Sequence, residues 1–216
     1  MAQFKSYDDI GVSTEGHVAT IEIQRPPHNF FDYSLIQQIA DAMETIDEDN
    51  NLRCVVLCAQ GKSFCAGANF GSDGNSANRS QENNPTDKSS HLYVEAVRLF
   101  ATKTPIVGAI QGAAIGGGLG LSLVPDFRVA CPESRFAANF TRLGFHPGFG
   151  LTHTLPALIG NQRATLMFYT SRRIKGEEAY EWGLADMLVP LEEVRTAATD
   201  LAKEISKKVN EDFDNK

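Results

Sequence analysis

The chain has 216 residues, of which 42% are hydrophobic and 22% charged, as is usual for a globular protein with one sizeable core. Its net charge of -7 argues against a general nucleic-acid binder, because contacts to phosphates need a basic excess. The sequence holds no run of about 18 apolar residues, so we expect no membrane partner.

The cysteines and the N-terminal residues indicate in which cellular compartment the protein is expected. No Cys-x-x-Cys pair occurs, and Cys54 and Cys58 lie in an apolar run where they would act as small buried hydrophobic residues. We therefore expect reduced thiols and no metal site. The first residues lack the apolar centre of a secretory signal, which adds to the expectation of a cytoplasmic protein.

Apolar periodicity predicts an opening of two strands, a helix and a third strand. Residues 18–24 alternate apolar and polar side chains, as in a strand with one buried face. After the break at Pro26 and Pro27, Asp32 is expected to cap a helix, and the apolar run 54–59 predicts a buried strand. The buried face of the helix is expected to carry Leu35, Ile36, Ile39, Met43 and Ile46.

The polar segment 71–91 separates this opening from the rest of the chain. It has almost no apolar residue, which is typical of a functional lid or a disordered segment. Beyond it the spacing predicts a helix at 92–103, a strand at 104–112, a helix after the triple glycine, a strand at 126–131, a helix, turn, short helix and strand within 160–190, and an amphipathic helix at 192–209. The apolar stripe of this last helix consists of Val194, Ala198, Leu201, Ile205 and Val209.

Three consecutive glycines, 116–118, stand between a predicted strand and a predicted helix. A dinucleotide-binding Gly-x-Gly-x-x-Gly motif fails here, because Leu123 stands where its third glycine belongs. A phosphate-binding P-loop ending at Lys62 and Ser63 also fails, because its leading glycine would fall at Val56. Neither nucleotide motif therefore explains the glycines.

Two interpretations of the glycines remain. They can serve tight packing of the strand against the helix, or they can leave backbone N–H groups at the helix start open to a carbonyl oxygen. The small-residue run 63–69 follows the buried strand 54–59 and offers a second donor of the same kind. Two such amides aimed at one oxygen would stabilise an enolate or a tetrahedral oxyanion.

Together these motifs resemble the enoyl-CoA hydratase/isomerase family, the crotonases. The match rests on FCAGAN (64–69) and IQGAAIGGGLG (110–120), with RPPHNFF (25–31) at the first strand–helix junction and RLGFHPGFGLTHTLPALIG (142–160) as a later loop. The resemblance covers nearly the whole chain. It implies an α/β fold of repeated ββα units, the crotonase/ClpP-like superhelix, with helices around a curled sheet.

The resemblance also implies a ligand and its contacts. The ligand is an acyl-CoA substrate, whose thioester carbonyl is held by the backbone amides of Ala68 and Gly117. Coenzyme A enters as part of this substrate, so no permanently bound cofactor is implied, and the assembly implied is a homotrimer or a dimer of trimers. The CoA contacts carry over to His28, Asn29, Phe30, Ala66, Asn69 and Phe70.

The chain departs from the family at the positions of proton transfer. The two glutamates of the hydratases fall at Gly120 and Phe140, and the acid that some members place eight residues later falls at Gly148. None of these residues can move a proton, so we do not expect standard hydration. His146 is the candidate to replace them, because imidazole titrates near neutrality, and a structural role in its loop is the alternative.

A domain boundary is predicted near residue 191. Residues 1–191 are expected to form the core domain, and residues 192–216 a C-terminal helix and polar tail, shorter than the helical module that the resemblance implies. Three functions stay open: a lyase or isomerase of acyl-CoA in fatty acid metabolism, a non-catalytic acyl-CoA binder, and a crotonase-type hydrolase. A serine hydrolase would need Ser122 as its nucleophile, although no Gly-x-Ser-x-Gly motif surrounds it.

Overall fold

The computed structural model describes residues 2–69 and 92–211, with side chains as far as residue 208. Phe70, the polar segment 71–91 and the side chain of Val209 lie outside the described residues. The strands are β1 (Ile10–Glu15), β2 (Val18–Ile23), β3 (Cys54–Ala59), β4 (Ile106–Ile110), β5 (Ala113–Ile115), β6 (Phe127–Ala130), β7 (Arg135–Ala137), β8 (Ile174–Lys175) and β9 (Met187–Leu188). The helices are α1 (Tyr33–Asp47), α2 (Leu92–Leu99), α3 (Gly117–Ser122), α4 (Leu151–Ile159), α5 (Asn161–Thr170), α6 (Gly176–Trp182) and α7 (Val194–Glu211).

Six strands form one sheet in the order β1-β2-β3-β4-β6-β9, and β5, β7 and β8 form a second sheet. In the larger sheet β1 pairs antiparallel with β2, and the other pairs are parallel. Parallel neighbouring strands need a crossover connection. Helix α1 provides it between β2 and β3, and α2 lies in the connection between β3 and β4. The predicted opening of two strands, a helix and a strand is confirmed.

Helix α1 forms where the sequence predicts it, because its cap and its apolar face agree. The Asp32 carboxylate accepts a hydrogen bond from the Leu35 amide at 3.0 Å and pairs with Arg25 at 2.9 Å. All five predicted apolar residues of the helix are fully buried against the larger sheet: Leu35, Ile36, Ile39, Met43 and Ile46. Both the cap and the buried face are therefore confirmed.

Helix α7 covers the other face of the larger sheet. Its buried apolar residues are Val194, Ala198 and Ala202, which join a second hydrophobic cluster with side chains of β3, β4 and β6. Leu201 and Ile205 pack partly buried beside this cluster. The predicted amphipathic helix is confirmed, while the domain boundary at residue 191 stays a prediction.

The helix predicted at 92–103 is too long, because α2 ends at Leu99. Beyond that point the Asp47 carboxylate accepts hydrogen bonds from the amides of Lys103 and Thr104, both at 2.9 Å. These bonds tie the chain to the end of α1 in a turn that helical spacing does not reveal. The boundary is set by a contact between distant residues.

The strand predicted at 104–112 also differs from the structure, since β4 is followed by a turn and a separate strand, β5. The turn lies at Gly112, whose φ is +64°, and a β-carbon there would lie 1.8 Å from the Lys62 carbonyl oxygen. The second sheet is missing from the sequence-based prediction, because strands of two or three residues carry too few side chains to show an alternation.

The described ranges include no helix long and apolar enough to cross a membrane. The thiols are free, as predicted, and burial, which was predicted for Cys54 and Cys58, extends to all four cysteines: Cys54, Cys58, Cys65 and Cys131. Burial raises the pKa of both Cys54 and Cys65 to about 12, because a thiolate is poorly solvated there. These thiols are therefore packing residues.

Candidate active site

The site is built on a short ladder that extends the smaller sheet. The Cys65 amide donates to the Ala113 carbonyl at 2.9 Å, and the Ile115 amide donates to the Cys65 carbonyl at 3.0 Å. On the opposite side, the Ala66 amide donates to the His28 carbonyl at 2.9 Å. The segment after β3 thus lies between β5 and the chain that precedes α1, which makes the two glycine-rich motifs neighbours.

The Ala68 amide points toward β5 and the start of α3. The Phe31 amide donates to the Gly67 carbonyl at 3.1 Å, which turns that carbonyl toward the outer chain of the ladder. The C=O and N–H of a trans peptide point in opposite directions, so the N–H of Ala68 faces the other side. Within the part of the chain that the structure describes, no acceptor receives this N–H.

The Gly117 amide points out of the N-terminus of α3. Gly116 is the N-cap residue, and its carbonyl accepts a hydrogen bond from the Gly120 amide at 3.2 Å. The N–H of Gly117 belongs to the same peptide group and therefore points away from the helix. Residues 2–69 and 92–211 provide no acceptor for it, whereas the Gly116 amide is bonded to Ala137.

Gly67 brings these two amides together. Its φ is +88°, and a β-carbon there would lie 2.7 Å from the Ile115 carbonyl oxygen and 3.9 Å from the Gly117 nitrogen. A side chain would close this approach, so glycine is required at position 67. Because the Ala68 amide is attached directly to Gly67, the two predicted donors lie in backbone segments that approach each other at Gly67.

Each interpretation of the triple glycine describes part of it. A β-carbon on Gly118 would lie 2.0 Å from the Cys65 carbonyl oxygen, so this glycine is needed for close packing of α3 on the ladder. A β-carbon on Gly117 would lie 2.2 Å from Cζ of Phe31. The packing interpretation is confirmed at Gly118, and the Gly117 amide, which has no acceptor within the described residues, is the feature that the carbonyl-binding interpretation requires.

Four of the predicted CoA contacts lie along one strip beside the ladder. His28 is exposed and Phe30 half-buried, and the centroids of their rings are 5.2 Å apart. Ala66, which is half-buried, is bonded to this chain segment through its amide, and Asn69 is exposed one residue past Ala68. The structure thus brings together side chains from two segments that are far apart in the sequence.

Asn29 has a structural role instead of the predicted CoA contact. Its side chain is fully buried and its amide group donates to the carbonyls of Gln60 and Ser63, both at 2.7 Å. Its amide oxygen accepts a hydrogen bond from Arg25 at 3.0 Å. These bonds hold the junction before α1 against the end of β3. Phe70, the remaining predicted contact, lies outside the described residues.

Hydrocarbon fills the space where the resemblance places the glutamates. A β-carbon on Gly120 would lie 2.6 Å from Cβ and 2.7 Å from Cγ of Phe149, whose side chain is 2% exposed. The half-buried Phe140 ring lies 3.9 Å from a β-carbon built on Gly116, beside the amide oxygen of Asn139. The absence of carboxylates is therefore accompanied by an aromatic wall.

His146 lies in the loop that leads to this wall, and it is exposed. Its Nδ1 is 2.9 Å from the Pro147 carbonyl oxygen. Because a carbonyl only accepts, Nδ1 donates in this contact, and Nε2 is then the basic nitrogen of the neutral ring. No contact in the described part of the chain connects His146 with Ala68 or Gly117.

Sequence reasoning missed Tyr93 as the neighbour of Gly148. A β-carbon on Gly148 would lie 2.1 Å from the Tyr93 hydroxyl oxygen, so the phenol occupies the space at the third position where the resemblance places an acid. Burial raises the pKa of Tyr93, which keeps the hydroxyl protonated at neutral pH. The glycine at position 148 was the available signal in the sequence, but no local pattern shows that Tyr93 fills the space of its missing side chain.

Ser122 is unsuitable as a nucleophile. Its side chain is fully buried, and its hydroxyl donates to the Leu119 carbonyl at 2.7 Å within α3. A serine that bonds to its own helix and has no exposed surface cannot reach a substrate. The serine-hydrolase interpretation therefore has no support in this geometry.

Comparison with known proteins agrees with these observations. A family profile described as Enoyl-CoA hydratase/isomerase matches residues 13–214. YngF of Bacillus subtilis (strain 168), which carries an enoyl-CoA hydratase/isomerase name, is 34% identical over 192 residues, covering 88% of this chain and 72% of YngF. The crotonyl-CoA hydratase of Syntrophomonas wolfei is 31% identical over 206 residues, covering 94% of this chain and 77% of that protein.

Solved structures give the same result. An enoyl-CoA hydratase from Bacillus anthracis superimposes with a TM-score of 0.80 at 31% identity, covering 92% of this chain and 77% of that one. The likeness confirms the crotonase fold that the sequence motifs predict. The chain therefore belongs to the enoyl-CoA hydratase/isomerase family.

Proposed function

We propose that this protein is an acyl-CoA-processing enzyme, in which the Ala68 and Gly117 amides hold the thioester oxygen and stabilise an enolate or oxyanion. One observation carries the proposal: a β-carbon at Gly67 would lie 3.9 Å from the Gly117 nitrogen, and both amides are unused within the described residues. Membership of the family and the similarity to a crotonyl-CoA hydratase support the substrate class.

The proposed amide pair acts mainly on the transition state. In an enolate or tetrahedral intermediate the oxygen carries a full negative charge, so removing one donor of such a pair lowers kcat by about 10²–10³. In the ground state the same hydrogen bond to a neutral carbonyl contributes only about 0.5–1.5 kcal/mol. Loss of one amide should therefore reduce turnover far more than binding.

Hydration through two carboxylates is not part of the proposal, because Gly120 and Phe140 stand at those positions. Proton transfer would instead fall to Nε2 of His146, to water or to the substrate itself. The same amide pair would serve isomerisation or thioester hydrolysis. We expect a short 2-enoyl-CoA to be hydrated much more slowly than by an enzyme that has both glutamates.

The test replaces one amide N–H with a ring carbon, which cannot donate a hydrogen bond. Ala68→Pro deletes the N–H, which forms no bond within the described fold, and Ala68→Ser is the matched control that keeps it. Isothermal titration should give a two- to tenfold weaker affinity of the proline variant for butanoyl-CoA, with unchanged affinity for free CoA, which has no thioester oxygen. An equal loss for both ligands, or no binding of either by the unmodified protein, would contradict the proposal.

A non-catalytic acyl-CoA binder is the second candidate function, and the aromatic wall favours it. Phe149 and Phe140 occupy the places from which carboxylates would act, so a bound thioester would meet hydrocarbon there. A panel of saturated, 2-enoyl and 3-enoyl CoA esters, followed for hydration, isomerisation and thiol release, separates the candidates. Binding of the esters without any turnover would favour the second one.

A further inference from the structure

The side chain of Asn139 lies beside the peptide group that carries one of the two proposed donors. A β-carbon on Gly116 would lie 2.9 Å from the Asn139 amide oxygen, and Gly116 is joined directly to Gly117. Three covalent bonds separate that β-carbon from the Gly117 nitrogen, so the amide oxygen lies within about 7 Å of this nitrogen. Among the groups nearest to β-carbons built on Gly67, Gly116 and Gly117, Asn139 provides the one polar side chain.

The amide group of Asn139 is unpaired in the part of the chain that the structure describes, although the residue is half-buried. By contrast, both ends of the Asn29 amide are bonded to backbone groups. Among the described side chains, the one enclosed nitrogen or oxygen without a partner is Nη1 of Arg53, so the Asn139 amide keeps contact with open space. Half-buried polar groups are usually hydrogen-bonded, and an open one beside the Gly117 amide is available to a ligand.

The chemistry of a carboxamide limits what Asn139 can do there. The group donates through its nitrogen and accepts through its oxygen, and the two ends exchange places by rotation about one bond. If the Ala68 and Gly117 amides hold a thioester oxygen, the nearest further oxygen that an acyl chain can offer across a carbon–carbon bond pair is the one on C3. Oxygens on C1 and C3 can lie about 3 Å apart, so one acyl group can reach both sets of donors.

A 3-oxo thioester also fits a site that lacks carboxylates. Its C2 proton lies between two carbonyl groups, so its loss gives an enolate whose charge is shared by two oxygens and requires no strong base from the protein. Gly120 and Phe140 offer no such base. In this step the C2–H bond breaks, the proton passes to water, and the negative charge spreads over the thioester oxygen and the oxygen on C3. Donors fixed at both oxygens would stabilise that charge.

We propose that Asn139 is a substrate-binding residue that selects 3-oxoacyl-CoA thioesters and stabilises their enolates by donating a hydrogen bond to the oxygen on C3. This proposal rests on the proposed function, because it takes the Ala68 and Gly117 amides as the place of the thioester oxygen. Asn139 takes up no proton itself, since a carboxamide is not a base at neutral pH.

The test compares 3-oxobutanoyl-CoA with butanoyl-CoA, which lacks the oxygen on C3. Isothermal titration at neutral pH should show the 3-oxo ester binding about 3–10-fold tighter, and the near-ultraviolet absorbance of its enolate should rise on binding. Asn139→Leu should remove both effects and leave the affinity for butanoyl-CoA unchanged. Asn139→Asp should do the same, because a carboxylate has no donor and repels an enolate. Asn161→Leu, at an exposed asparagine of α5, is the matched control and should keep both effects.

Each result decides for or against Asn139. Equal binding of the two esters, tighter binding without a rise in enolate absorbance, or a preference that survives in both Asn139 variants would overturn its role and leave the proposed function standing. If one variant loses butanoyl-CoA binding, the other decides, and loss in both would overturn a selective role. Failure of both esters to bind to the unmodified protein would overturn both proposals.

Discussion

Replacing Gly120 with alanine should destabilise the protein, although alanine is the better helix former. The new β-carbon would lie 2.6 Å from Cβ and 2.7 Å from Cγ of Phe149, well inside van der Waals contact, and Phe149 is buried and cannot withdraw into solvent. Overpacking of this kind costs about 1–3 kcal/mol. The gain in helix propensity returns only about 0.5–1 kcal/mol. We therefore expect the free energy of unfolding to fall by about 1–2 kcal/mol.

The sign of this effect should reverse when Phe149 is replaced by glycine. Phe149→Gly removes all the clashing atoms of Phe149 and relieves the φ of +55° that phenylalanine holds there, but the lost ring still lowers the free energy of unfolding by about 3–4 kcal/mol. In this background Gly120→Ala retains its helix-propensity gain without the contact. It should then raise the free energy of unfolding by about 0.5–1 kcal/mol.

Urea unfolding of the four proteins measures this coupling directly. The expected interaction energy between the two sites is about 2 kcal/mol, well above the ~0.5 kcal/mol within which independent sites add. Gly16→Ala is the control, because a β-carbon on Gly16 would meet no atom within 4 Å. Its cost should be the same in both backgrounds. Additive effects of Gly120→Ala and Phe149→Gly would refute the argument that the phenylalanine occupies the space of a side chain at position 120.

Two further predictions concern the core. Arg128→Met should lower the free energy of unfolding by about 3–5 kcal/mol, as measured by urea unfolding. The reason is that the Arg128 guanidinium, which is 2% exposed, donates to the Leu184 carbonyl at 2.8 Å and to the Asp186 carboxylate at 3.0 Å. A loss below about 1 kcal/mol would contradict this. Burial raises the pKa of Cys54 and Cys65 to about 12, against about 8.5 in an unfolded chain, so stability should be unaffected below pH ~8.5 and fall as the pH rises toward 12. At pH 9 iodoacetamide should label these thiols only on unfolding, and equally fast labelling of the folded protein would rule out this burial.

The elements that the sequence predicts well are those whose signals are local. Strand β2 shows an alternation of apolar and polar residues, β3 is an unbroken apolar run, and α1 combines a capping aspartate with a 3.6-residue apolar period. In each case the side chains within one element determine its type. The motifs of the two glycine-rich segments were specific enough to indicate the family and the fold.

The elements and contacts that sequence reasoning misses depend on residues far apart in the chain. The end of α2 is set by Asp47, more than 50 residues before the turn, and the Tyr93–Gly148 and Phe149–Gly120 contacts join positions that no periodicity connects. Asn29 was assigned to CoA from the family motif, but its side chain is held by the carbonyls of Gln60 and Ser63, more than 30 residues away, as well as by the nearby Arg25 amide. A glycine at an unexpected position indicates that another group packs closely against the backbone there, but it does not identify that group.

The glycines of this site are best understood through the groups that fill the space of their missing side chains. At Gly117 that group is the Phe31 ring, at Gly120 it is Phe149, and at Gly148 it is the Tyr93 hydroxyl. Restoring one glutamate at position 120 would therefore not recreate a hydratase, because the carboxylate would have to displace a buried ring first. The proposal that hydration does not follow the two-carboxylate route thus rests on the packing of Phe149 against Gly120 as well as on the residue types at positions 120 and 140. This packing is compatible with the proposed reaction, in which the Ala68 and Gly117 amides act without two flanking carboxylates.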